Sequence, residues 1–95
     1  MSTIKKTTKS EARRMRKYTI IRWFEDNGFN WDDQGSLVDF FHNDNPDLCG
    51  WMRPSGGDAE VFLDNHVDRD QPGWVDEMNA DLKAMVDNFN AAYEL

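Results

Sequence analysis

The sequence predicts an α-rich α+β domain. Three observations carry this expectation: a long helical seam towards the C-terminus, a capped amphipathic run near the N-terminus, and between them a segment with hairpin turn chemistry. The expected elements are two longer helices at about 10–27 and 72–94, a short helix at about 36–43 and a β-hairpin at about 48–63. Ninety-five residues suffice for one small domain. Apolar residues make up only 39% of the chain, but four Trp, two Tyr and six Phe are among them. Aromatic side chains bury about 150–250 Å² each, so a compact core is feasible.

Residues 1–9 lack periodicity and read as a mobile basic arm, leaving 10–95 as a single globular domain. Ser10 is the expected N-cap of the first helix, with Glu11 in the first turn, where negative charge suits the helix dipole. Ala12, Met15, Thr19 and Trp23 recur at helical spacing, and Tyr18, Ile21 and Phe24 widen the stripe. Tyr18 to Phe24 also has the β-branched and aromatic character of a strand. Length, capping and the interleaved basic residues favour the helix, which stops at Asn27-Gly28.

Phe29 to Gly35 reads as a connection. Ser36-Leu37-Val38-Asp39 fits a capping box with Asp in place of Glu, and Leu37, Phe40 and Phe41 then share a helical face. Pro46 ends that short helix. Leu48 to Met52 can pair with Glu60 to Leu63 around Pro54-Ser55-Gly56-Gly57-Asp58, although Gly50 weakens the first strand. Residues 64–70 are polar and loop-like, and Pro72 suits a helix start. Val75, Met78, Leu82, Met85, Phe89 and Ala92 then recur with spacings of 3, 4, 3, 4 and 3. The expected core comprises Met15, Ile21, Trp23, Phe24, Leu37, Phe40, Phe41, Val61, Leu63 and the seam from Val75 to Phe89.

Several function classes fail on residue chemistry. One cysteine, Cys49, excludes an internal disulfide framework and a Cys-based zinc finger. His42, Cys49 and His66 match no zinc spacing. The acid-rich stretch from Asp64 to Glu77 fails as a calcium loop in both registers: counting from Asp64 puts Arg69 where Gly belongs, and counting from Asp68 puts Asn79 where Glu belongs. Carboxylates are plentiful, but a solvated acidic run does not raise the pKa of a general acid. Ser55-Gly56-Gly57 has no following Gly-Lys and no helix to make a phosphate loop. No catalytic residue, metal or cofactor is therefore expected, and the protein reads as a non-enzyme. Lacking an apolar run of about 20 residues or an apolar stretch behind the basic N-terminus, the chain reads as cytoplasmic, with no membrane partner.

The informative signal is charge. The net charge of −7 conceals two opposed regions. Residues 1–24 hold Lys5, Lys6, Lys9, Arg13, Arg14, Arg16, Lys17 and Arg22 against Glu11, a net +7; the remainder is therefore −14. Such a body repels phosphate and attracts basic surfaces. It points to a small acidic protein-binding module, an inhibitor that presents a nucleic-acid-like negative surface to a basic, nucleic-acid-binding host protein. Small acidic proteins of phages and mobile elements offer an analogy of class. The expected partner surface is Asp76, Glu77, Asp81, Asp87 and Glu94 on the last helix, Asp58, Asp64, Asp68 and Asp70 on loops, and Trp51 or Trp74 as aromatic anchor. Asp32, Asp33, Asp39, Asp44 and Asp47 could extend it. The alternative is a nucleic-acid-associated accessory protein. There Lys5, Lys6, Lys9, Arg13, Arg14, Arg16 and Lys17 contact phosphates, while the acidic body recruits a protein or a second copy as a homodimer.

Overall fold

The computed structural model describes residues 7–64 and 71–95. The elements run α1 (Lys9–Asp26), β1 (Phe29–Asp33), β2 (Val38–His42), β3 (Leu48–Arg53), β4 (Asp58–Leu63) and α2 (Gly73–Tyr93). The strands form one antiparallel meander in the order β1-β2-β3-β4. The fold is thus a mixed α+β one and not the helix-rich one expected. The short helix at 36–43 does not exist, and the hairpin at 48–63 is half of a four-stranded sheet. The physical reason lies in β2. Val38, Phe40 and His42 alternate along the strand, and both neighbours pair with it, Phe40 opposite Trp31 on one side and Gly50 on the other. Two ladders of backbone hydrogen bonds outweigh what one short helical turn could offer.

The helix ends follow from local chemistry. Thr8, and not Ser10, caps α1: its hydroxyl accepts from the Glu11 N–H while the Glu11 carboxylate accepts from the Thr8 N–H. Asn27 is the C-cap, and Gly28 then turns with φ +88°, a conformation that costs glycine little. The rival strand reading of Tyr18 to Phe24 is settled in favour of the helix.

Strand periodicity divides the sheet into two faces. Phe29, Val38, Phe40, Leu48, Met52 and Val61 point inwards and meet Ile20, Ile21 and Phe24 of α1 and Val75, Leu82 and Val86 of α2. Both helices therefore cover the same face. At its centre the Phe24 and Phe40 rings stack 3.6 Å apart, and Phe29 and Trp23 approach Phe24 edge-on. Gly50 leaves room for this stack, because a Cβ there would lie 2.5 Å from the Phe24 ring. Four expected core residues are not in the core: Met15 is 41% exposed and Phe41 is 51% exposed, while Leu37 and Phe89 are half-buried and stand outside the packed cluster.

Arg16 is the one charged residue buried among those described. Its guanidinium donates to Asn90 Oδ1 at 2.8 Å, with longer contacts to the Pro54 and Ser55 carbonyls. It therefore joins α1, the β3–β4 turn and α2. The exposed edge of β4 is closed differently. The Asn79 side chain on α2 accepts from the Val61 N–H at 2.8 Å and donates to the Val61 carbonyl at 3.0 Å, as a fifth strand would. The Gln71 side chain accepts from the Leu63 N–H.

Candidate functional site: an acidic groove between β4 and α2

Asn79 helps to set the geometry of a concavity between β4 and α2. By holding α2 alongside the edge of β4 it leaves a groove between them, in two parts of about 490 Å³ and 430 Å³. Trp51, Glu60 and Asn79 line both parts. Asp58, Lys83, Asp87 and Asn90 also line the first part, and Phe62, Asp64, Gln71 and Asp76 the second. Asp76 and Asp87 reach the same wall because eleven residues on an α-helix return to within about 20° of the starting direction.

Five carboxylates therefore share the groove: Asp58, Glu60, Asp64, Asp76 and Asp87. Its single cation, Lys83, is held by Asp87 at 2.8 Å, which raises the lysine pKa through that hydrogen bond. Arg53 reaches Asp58 only at 3.8 Å, with both side chains largely in solvent. Among the described residues no ion pair engages Glu60, Asp64 or Asp76. Negative potential thus persists along the groove, and Trp51 adds an aromatic surface beneath the Arg53 guanidinium, 5.5 Å from the ring centre.

The expected partner residues are divided by this arrangement. Asp58, Asp64, Asp76, Asp87 and Trp51 converge on the groove. Glu77 and Asp81 lie on a different flank of α2, about 80° to 140° around the helix from Asp76 and Asp87. Glu94 is the C-cap of α2, with φ 57°, and Trp74 is 44% exposed but outside the groove lining. Asp68 and Asp70 fall outside the described residues. A separate acidic group lies at β1 and β2, where Asp32 faces Asp39 and the Gln34 amide donates to both. The acids therefore do not form one continuous sheet of charge. Glu60 and Asn79 are groove residues that sequence reasoning missed. The alternation Asp58-Ala59-Glu60-Val61 already placed Glu60 beside Asp58 on one strand face, whereas nothing local marked Asn79.

The basic region is also partitioned. Lys5 and Lys6 fall outside the described residues, and Lys9 opens α1. Arg13, Arg14 and Lys17 line a cleft of about 350 Å³ with Ser36 of the β1–β2 turn and Ser55 of the β3–β4 turn. Lys17 is bound to Asp33 at 2.6 Å, an interaction that, with the Gly35 N–H, holds the Asp33 carboxyl below its ordinary range. Arg16 cannot contact a ligand phosphate from its buried position; burial, and secondarily Arg13, lower its pKa.

His42 and Cys49 are on opposite faces of the sheet. His42 packs edge-on against Phe29, and its Nδ1 accepts from the Asp44 and Asn45 N–H groups. The two therefore do not converge, and His66 lies outside the described residues. Among the described residues no three His, Cys, Asp or Glu side chains gather around a possible metal position. Within the same residues no helix is long and apolar enough to cross a membrane. No family model, curated protein or solved structure matches this chain.

Proposed function

We propose that the protein is a small acidic protein-binding module that inhibits a basic, nucleic-acid-binding partner by occupying its phosphate-binding surface with the β4–α2 groove. One observation carries the reading: five carboxylates converge on the groove while its only lysine is already paired. DNA offers one negative charge per about 1.7 Å of axis, and surfaces built for that density attract a close-set row of carboxylates. Electrostatic complementarity sets the encounter rate and selectivity, and Trp51 supplies apolar area for affinity.

The test uses protamine on duplex DNA as a generic basic, nucleic-acid-binding probe. The unaltered protein is expected to release the DNA. A variant combining Asp58→Asn, Glu60→Gln, Asp64→Asn and Asp76→Asn is expected to fail, while Glu77→Gln/Asp81→Asn on the other flank retains the effect. Equal loss in both variants would mean that net charge alone acts, and the groove would have no special role.

A second reading is favoured by the cleft in which Arg13 and Arg14 meet Ser36 and Ser55. Two cations and two hydroxyls suit a phosphate backbone, so the protein would be a nucleic-acid-associated accessory factor. Arg13→Gln/Arg14→Gln should then remove salt-sensitive oligonucleotide binding. Absence of such binding in the unaltered protein eliminates this reading.

A further inference from the structure

The face of the sheet turned away from the helices carries a row that the core does not use. Phe41, Cys49 and Phe62 stand side by side on β2, β3 and β4, since Phe41 pairs with Cys49 and Cys49 with Phe62. Trp51 follows Cys49 by two residues and so shares this face. Phe41 is half in solvent, and Cys49, Trp51 and Phe62 are half-buried. None of the four belongs to the buried cluster beneath the helices, and among the described residues no helix packs on this side. Carboxylates border the row. Asp39 lies on the same strand face, and Asp39, Asp47 and Asp64 are close enough to Cys49 for their charges to act on its thiol.

We propose that this outer face, centred on Phe41, Cys49 and Phe62, is a docking platform for a protein segment that carries apolar side chains flanked by lysine or arginine. The apolar row supplies the area to be desolvated, and its acidic border selects the charge of the visitor. Charge complementarity argues against the other occupants. A nucleic acid would bring phosphates against Asp39, Asp47 and Asp64. A second copy docked face to face would set each acidic border against its twin. The platform adjoins the acidic groove, since Trp51 and Phe62 line both, but Phe41 and Cys49 lie outside the groove lining, so the two can fail separately.

The probes are a synthetic peptide of alternating leucine and lysine, its leucine–glutamate counterpart, and oligolysine. The leucine–lysine peptide is expected to bind the unaltered protein and to weaken at least about tenfold against Phe41→Thr/Phe62→Thr. Thr keeps strand propensity at these outward positions, and an unchanged melting temperature checks the fold. Oligolysine, which lacks apolar anchors, should bind both proteins alike, separating this face from the groove. A readout without substitution comes from Cys49: its alkylation should slow when the leucine–lysine peptide is bound.

The proposal is overturned if the double variant binds the leucine–lysine peptide unchanged, or if the leucine–glutamate peptide binds as well. It is also overturned if Cys49 stays equally reactive. A dimer that Phe41→Thr dissociates would assign the face to a second copy. An affinity gain on deleting residues 1–6 would assign it to this chain's own N-terminus. Failure of oligolysine to bind at all would remove the groove reading and leave this one standing.

Discussion

The two faces of one sheet illustrate how neighbouring residues are given opposite tasks. Phe40 and Phe41 are adjacent on β2, yet Phe40 is fully buried against the Phe24 ring and Phe41 is half in solvent. On β3, Gly50 gives up its side chain to admit Phe24, while Cys49 and Trp51 on either side of it face outwards. The inner face is close-packed and intolerant of volume change. The outer face keeps apolar surface that contributes little to folding. A small domain that retains such surface, bordered by carboxylates, gives up some solubility and stability, which fits use in binding.

The sharpest way to break this comparison is to truncate the two neighbours separately. Phe40→Ala removes a stacked ring from the centre of the core and should cost about 3–5 kcal/mol, read by denaturant unfolding. Phe41→Ala should stay within about 0.5 kcal/mol of the unaltered protein. Equal losses would mean that the outer face is part of the core. Next in size is Gly50→Ala, whose new methyl meets the Phe24 ring; overpacking of this kind costs about 1–3 kcal/mol. A neutral Gly50→Ala melting curve would show that the Phe24 stack can shift freely.

Asn79→Ala leaves the Val61 N–H and carbonyl without their side-chain partner and should cost about 1–3 kcal/mol. Hydrogen exchange at Val61 should rise more than exchange at the central strands. The smallest effect concerns Asp33. Its carboxyl is held below the ordinary carboxylate range by Lys17 and Gly35, so its contribution is present at neutral pH. That contribution fades as pH falls through the lowered pKa. Melting profiles of Asp33→Asn and the unaltered protein should therefore differ slightly at neutral pH and converge in acid. Because the pair is reached by water, high salt should shrink the difference.

The helices were legible because their patterns are long. Eighteen and twenty-one residues leave little room for a competing period, and Asn27-Gly28 marks one end clearly. β2 was misread because five residues satisfy two periods at once. Leu37, Phe40 and Phe41 match a helical face, while Val38, Phe40 and His42 match a strand. Pairing on both sides decides between them, and such pairing is not written locally. β1 was hidden for a related reason: of its five residues only Phe29 is buried, and Asp32 and Asp33 read as loop. The candidate site was half legible. Trp51, Asp58, Asp64, Asp76 and Asp87 could be singled out by residue type, but their convergence depends on α2 lying along β4. Core packing of Val75, Leu82 and Val86 and the Asn79 bonds to Val61 hold that placement, and these contacts are tertiary. Arg16 was misassigned because a basic run reads as a solvated face, whereas Asn90 and the β3–β4 turn draw this one member inwards.

The most direct measurement takes one variant and two readouts. Asp58→Asn, Glu60→Gln, Asp64→Asn and Asp76→Asn are combined, and both the melting temperature and oligolysine affinity are recorded. Carboxylates kept together for a partner repel one another when no partner is present. Neutralising them should therefore hold or raise the melting temperature while oligolysine binding collapses. A lower melting temperature with binding intact would mean that these acids serve the fold, and the acidic groove would not be a binding site.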